Sequence, residues 1–168
     1  SPDEHESSIV VSLGEDGIAM IWDFRGLSLH ESKSAQIIND VNDYLIPKKI
    51  EVNKVDSIGR ICGTGLEIED VGNQKFYFYI STDEGQIYCV DMGAKNTADN
   101  PTGNVVMHYN NRYFRPVLYF ERSPFFKDIF LTVHDFHFSL WAKGRPKAIF
   151  MSPNLDNCSY TCGKFSPT

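Results

Sequence analysis

The sequence predicts an all-β domain built from repeated antiparallel hairpins. Three observations carry this reading. Apolar residues alternate with period two, Asp-Gly and Glu-Gly pairs separate the alternating runs, and the same hairpin outline recurs three times. The 12 Phe and 8 Tyr among 168 residues favour strands.

In the first copy, Val10 and Val11 lead to a turn at Asp16-Gly17, after which Ile18, Met20 and Trp22 share one face of the outgoing strand. An Asp-Gly pair between apolar runs suits a tight hairpin whose central positions take positive φ. In the second, Phe76, Phe78 and Ile80 alternate with Tyr77 and Tyr79 before the turn at Glu84-Gly85. In the third, Ile129, Leu131 and Val133 share a face, Asp135 sits at the turn, and Phe136, Phe138 and Leu140 line the outgoing strand. Aligning Gly17, Gly85 and Phe136 brings Trp22, Val90 and Trp141 into register, followed by Asp23, Asp91 and Ala142. Further strands are expected at 61–69 and 117–122 before the second and third hairpins, and at 147–151 as a short outer strand. The polar residues 1–8 read as a frayed end or an arriving loop.

Charge and composition exclude several function classes. Sixteen Lys and Arg stand against 22 Asp and Glu, a net charge of −6, which argues against nucleic acid and against direct binding to the acidic microtubule surface. Hydrophobic and charged fractions of 42% and 23% are ordinary for a folded domain. No stretch approaches the roughly 20 apolar residues of a membrane helix, and no basic-then-apolar segment opens the sequence, so a soluble, non-secreted chain without a membrane partner is expected. Cys62, Cys89, Cys158 and Cys162 are too sparse for a disulfide scaffold and are expected as free thiols.

Catalytic and ligand-binding chemistry finds little support. The sequence holds no GxSxG elbow, and GTG at 63–65 falls far short of a phosphate-cradling loop, so no enzyme activity, small-molecule substrate or cofactor is expected. His134, Asp135 and His137 are close in sequence, but strand alternation separates neighbouring side chains, and neither they nor Cys158 and Cys162 make a convergent metal site. An enzyme using His134, Asp135 and Ser139 on one rim would require those groups to converge around a perturbed histidine. Ser123-Pro124 and Ser152-Pro153 are formal proline-directed phosphorylation sites that also read as turns. Tyr109, Arg112, Tyr113, Phe114 and Arg115 fit two roles, anchoring a loop onto the sheets or forming a protein interface, for which Arg112 to Arg115 are the candidates.

The hairpins resemble WD40 repeats, most clearly in EDGIAMIWD at 15–23 and DEGQIYCVD at 83–91. The resemblance implies a β-propeller of four-stranded blades, incomplete in this chain because two fairly complete blades plus fragments cannot close a ring. Expected divisions are a hairpin at 9–25, an insertion or linker at 26–58, a second blade at 61–92, a loop at 93–114, a third blade at 115–151 and the start of a further blade at 160–168. The spacings between hairpins exceed the roughly 40–45 residues of a minimal blade. Part of the excess is residues 34–45, whose Ile37, Ile38, Val41 and Leu45 suit a short amphipathic helix ended near Pro47, either packed beside the blades or binding a partner. Uncovered blade faces imply that the 168 residues fold poorly alone.

The third copy narrows the resemblance. RPVLYFERSPFFKDIFLTVHDFHFSLWAKG at 115–144 is similar to the WD-repeat region of dynein intermediate chains, and the SPFFKDI wording to axonemal inner-arm members. ISTDEGQIY at 80–88, KAIFMSP at 147–153 and YTCGKFSPT at 160–168 fit the same pattern. His134, Phe136 and Arg115 depart from it by replacing glycine, tryptophan and glycine. The resemblance implies structural roles for Asp16, Gly17, Trp22, Gly85, Asp135 and Trp141, with both tryptophans between blades. His108 is expected either to meet Asp135 as a structural pair or to be a plain loop histidine. It also implies a non-catalytic scaffold subunit of an inner-arm dynein, in the cytoplasm and cytoskeleton of a cilium or flagellum. Its partners would be dynein heavy chains, a companion intermediate chain and light chains. A WD40 adaptor in a non-ciliary transport or assembly complex is the alternative.

Overall fold

The computed structural model describes residues 9–23, 47–72, 75–93, 102–111, 113–154 and 158–166. Three antiparallel sheets succeed one another along the chain. The first contains β1 (Ile9–Leu13), β2 (Ile18–Asp23) and β3 (Lys48–Glu51). The second contains β4 (Gly63–Asp70), β5 (Phe76–Thr82), β6 (Ile87–Asp91) and β7 (Asn104–Tyr109). The third contains β8 (Tyr119–Arg122), β9 (Ile129–Val133), β10 (Phe138–Ala142) and β11 (Phe150–Met151). Each strand pairs with its sequence neighbour, so each sheet is a meander, and the all-β architecture is that of an incomplete propeller.

Alternation on β5 and β6 dictates how the sheets stack. Phe78, Ile80, Tyr88 and Val90 face the first sheet, where they join Ala19, Ile21, Ile50 and Val52. Tyr79, Ile87 and Cys89 face the third, where they join Phe120, Phe130 and Trp141. A strand with apolar residues on both faces must be covered on both, and the middle sheet is.

Several expectations change. Residues 26–58 are not wholly an insertion, because β3 lies among them and Ile50 is fully buried against the second sheet. Residues 93–114, expected as a loop, contain β7, whose weak alternation hid a strand paired to β6 from Asn104 to Tyr109. Tyr109 therefore lies in the core, edge-on to Phe130 at 5.1 Å, and not in a surface loop. The outer strand of the third sheet is only Phe150–Met151. Residues 158–166 form no strand, but Tyr160 N–H donates to Asp135 O at 2.7 Å and holds this segment beside the third sheet. The amphipathic run 34–45 lies outside the described residues.

Trp22 and Trp141 also part company. Trp141 is fully buried between the second and third sheets, whereas Trp22 is half-buried on the face of β2 opposite Ala19 and Ile21. The first sheet has no described neighbour on that side. Both indoles nonetheless donate to a hydroxyl on the adjacent strand, Trp22 to Ser12 at 3.1 Å and Trp141 to Thr132 at 2.9 Å.

The hairpin turns differ in length. Gly14 N–H donates to Ile18 O and Thr82 N–H to Gln86 O, closing three-residue loops that end in Gly17 and Gly85 at φ 72° and 79°. Only the glycine takes positive φ; Asp16 does not, contrary to the two-residue turn expected. In the third hairpin His134 N–H donates to His137 O, so the loop is one residue shorter. It needs no positive φ, which is how Phe136 stands in a glycine's place.

Gly85 is constrained twice. A Cβ there would lie 2.5 Å from Arg115 O, on the connection entering the third sheet, whereas a Cβ on Gly144, at φ 77°, would meet nothing within 4 Å. Gly144→Ala should therefore cost about 1 kcal/mol from the left-handed backbone alone, and Gly85→Ala at least twice that because the connection must also shift. Thermal unfolding of the full-length protein checks this, and equal losses for the two would contradict it.

Candidate protein interface on the rim

Antiparallel pairing places the β1–β2, β5–β6 and β9–β10 turns at one end of the sheets, beside the connections between sheets. Gly17 packs on Ile61, Gly85 on Arg115, and Lys54 from the first connection pairs with Glu84 of the second turn. Together they form a continuous rim. Its junction between the second and third sheets carries Tyr113, Phe114 and Phe136, which are 53%, 66% and 41% exposed. Phe114 is the one described non-glycine residue with positive φ, at 47°. Holding a bulky side chain in this conformation stores strain.

Arg115 connects the exposed residues. Its guanidinium lies 3.2 Å from Asp135 Oδ2 and 5.5 Å from the Phe136 ring centre. Asp135 Oδ1 accepts Phe136 N–H at 3.1 Å. Of the candidate interface residues, Tyr113, Phe114 and Arg115 gather here, and Arg112 lies outside the described residues.

A buried polar network supports the rim from below. His134 Nδ1 faces Arg115 O at 2.9 Å and Pro116 O at 3.1 Å, two acceptors that require the proton on this nitrogen. Nε2 is then an acceptor for Thr132 O–H at 3.0 Å and for the Asn111 amide at 3.2 Å. Thr132 in turn accepts from Trp141. His137 stacks on His134 at 4.3 Å, and Tyr113 packs edge-on against His137 at 5.5 Å. One chain of hydrogen bonds and ring contacts thus runs from the core indole to an exposed tyrosine. Burial holds His134 neutral, with its pKa lowered to about 4 despite the opposing carbonyl bonds from Arg115 and Pro116, and burial lowers His137 as well.

This geometry reassigns other candidates. His108 does not meet Asp135: its ring packs tilted against Tyr88 at 4.7 Å and faces Asp56 at 3.7 Å, because β7 carries it to the opposite side of the second sheet. His134, Asp135 and Ser139 make no catalytic set, since both His134 nitrogens are engaged and Asp135 turns to Arg115. Asp16 Oδ1 accepts Ile18 N–H at 3.2 Å within its turn. Ser123 Oγ accepts from Phe125 and Phe126 N–H and orders its turn, whereas Ser152 Oγ accepts Phe138 N–H across to the start of β10 and belongs to strand pairing, not to a turn. Among the described residues no group of three or more His, Cys, Asp and Glu is arranged to hold a metal ion.

Sequence reasoning missed Asn111 and Glu69. Asn111 looked like a loop residue, yet it is buried and bonds His134. Glu69, at the opposite end of the sheets, receives Tyr79 O–H at 2.8 Å, Arg122 at 2.9 Å and Lys143 at 3.0 Å, joining the second sheet to the third. Burial opposes its ionisation, but the Lys143 and Tyr79 hydrogen bonds and the Arg122 charge outweigh that and keep its pKa below the usual value. Its alternation with Glu67 on β4 resembled an ordinary solvated face.

Comparisons place these features in a family. The family model described as "Dynein axonemal intermediate chain 3 WD40 domain" matches residues 6–168. Dynein axonemal intermediate chain 3 from Homo sapiens is 29% identical over 99 residues, which cover 54% of this chain and 10% of that protein. The match thus spans about a tenth of that relative's length. WD40 domains are non-catalytic scaffolds that bind other proteins, and the arrangement of this rim is in keeping with that role.

The neutral His134 gives stability a pH dependence. Above its unfolded value near 6.5 the imidazole is neutral in both states; below it the unfolded chain takes up a proton that the folded chain refuses until about pH 4. Stability is therefore fully present above the unfolded value near 6.5 and falls as pH drops towards about 4, by about 2 kcal/mol from His134 alone between pH 7 and pH 5. The lowered pKa values of His137 and His108 act in the same direction. Thermal unfolding of the full-length protein should show this decline, and His134→Gln should make it shallower. An unchanged midpoint across the interval would refute the network's protonation state.

Proposed function

Because the chain belongs to the dynein axonemal intermediate chain 3 WD40 domain family, we propose that it is a non-catalytic scaffold of an axonemal inner-arm dynein. In this role it links heavy chains to a companion intermediate chain and light chains in a cilium or flagellum. The family match over residues 6–168 carries the reading. Support comes from the rim, where Tyr113, Phe114 and Phe136 expose aromatic area beside the Arg115–Asp135 pair. Aromatic and arginine side chains dominate protein interfaces because they combine large buried area with directed polar contacts. The network beneath them fixes their positions and lowers the ordering cost of binding.

Affinity purification of the full-length protein from ciliated cells, read by mass spectrometry against a non-ciliated extract, tests the proposal. Inner-arm heavy chains, a companion intermediate chain and light chains should be recovered. The double substitution Tyr113→Ser with Phe136→Ser should reduce at least one of these several-fold. Absence of dynein subunits under conditions that preserve the arms would overturn it in favour of an adaptor in a non-ciliary complex.

A further inference from the structure

We propose that the groove between the second and third sheets docks an acidic peptide segment through one large apolar anchor residue. The groove has a volume of about 650 Å³, within the range of cavities that bury a ligand side chain group. Its walls include Asn111, Phe114, Trp141, Ala148 and Met151, so most of the surface offered to an anchor is apolar. A hydrogen bond from Asn110 N–H to Pro146 O, 3.1 Å long, ties the two walls together.

Two features favour an extended peptide over a small molecule. The groove begins at Asn110 and Asn111, directly after β7, and reaches Met151 of β11; β7 and β11 are the edge strands of their sheets, whose outward backbone groups suit main-chain hydrogen bonding to an added segment. The groove also reaches Phe114 on the rim, where strained backbone aims an exposed ring. Charge selects the kind of peptide. Lys147 lines the groove and Arg145 lies two residues before it; both are exposed, and neither has an ion-pair partner among the described residues. Lys143, by contrast, is held by Glu69, and Arg115 by Asp135. On a chain of net charge −6, two uncommitted cations beside an apolar groove complement carboxylates flanking an anchor.

This inference rests on the scaffold reading and names the chemistry of one partner segment. Fluorescence anisotropy on the full-length protein tests it, with a short fluorescein-labelled peptide carrying a single leucine between glutamates. Two controls replace the glutamates with lysines or the leucine with serine. The acidic leucine peptide should bind saturably and weaken with added salt, and both controls should bind at least about tenfold more weakly. Arg145→Glu with Lys147→Glu should weaken binding about tenfold. Phe114→Gly, which suits the positive φ, should weaken it without lowering the unfolding temperature. Failure to bind, equal binding of the lysine-flanked peptide, or unaltered affinity in both variants would overturn the groove assignment. Retained dynein subunits without peptide binding would count against the groove alone, whereas peptide binding without dynein subunits would count against the inner-arm assignment alone.

Discussion

The two central strands of the middle sheet present no face that water can wet along their buried stretch. Phe78, Ile80, Tyr88 and Val90 on one side and Tyr79, Ile87 and Cys89 on the other leave the centres of β5 and β6 apolar and buried on both sides. Each large side chain so covered contributes about 1.5–3 kcal/mol, whereas a water-screened ion pair such as Lys49–Glu51 adds far less. Stacking is therefore decided by apolar area, and ion pairs adjust what stacking brings together. Close packing in turn forces the backbone of each connection against the preceding turn, which is why Gly17 meets Ile61 and Gly85 meets Arg115.

The polar groups inside that stack are resolved without net charge wherever burial is complete. At the third sheet Trp141, Thr132 and His134, joined by Asn111 from the connection before it, pass hydrogen bonds in one consistent direction, and the neutral imidazole supplies both a donor and an acceptor. In the second sheet Ile80 and Val90 occupy the corresponding positions and meet the same demand by containing no polar group at all. Glu69 is the exception. Its charge sits near one end of the sheets, where Lys143, Arg122 and Tyr79 satisfy both oxygens, so ionisation survives partial burial.

Much of the fold was legible because period-two alternation and turn glycines are local signals. The three hairpins, the Gly17–Gly85–Phe136 register and the pairing of β4 and β8 with their hairpins follow from them. The strands β3 and β7 were not legible, since Lys48–Glu51 and Asn104–Tyr109 present mixed polar and apolar residues whose burial depends on a neighbouring sheet. The candidate site was half legible. Composition pointed to Tyr113, Phe114 and Arg115, but the partnership of Asn111 with His134 joins the connection after β7 to the turn after β9, and no local pattern encodes it. Anchoring the third hairpin on Phe136 also concealed a shorter loop. Trp22 reaches its hydroxyl across ten residues and Trp141 across nine, so one residue is missing between Thr132 and Phe136.

That missing residue shapes the rim. A three-residue loop ends in a glycine whose lack of a side chain lets the next connection pass closely, as at Gly85. Shortening the loop removes the need for positive φ and admits a phenylalanine, which then projects from the rim and receives Arg115 over its ring. The same shortening sets His134 and His137 opposite each other across the turn, where they stack and engage Asn111. Asn111 Oδ1 accepts Tyr113 N–H at 3.2 Å, so the rim loop takes its conformation from the buried network. Exposed aromatic residues on a free loop would lose conformational freedom on binding; here the core has already removed much of it. The substitutions that depart from the glycine-containing hairpin therefore leave the rim at this junction with its exposed aromatic residues already ordered.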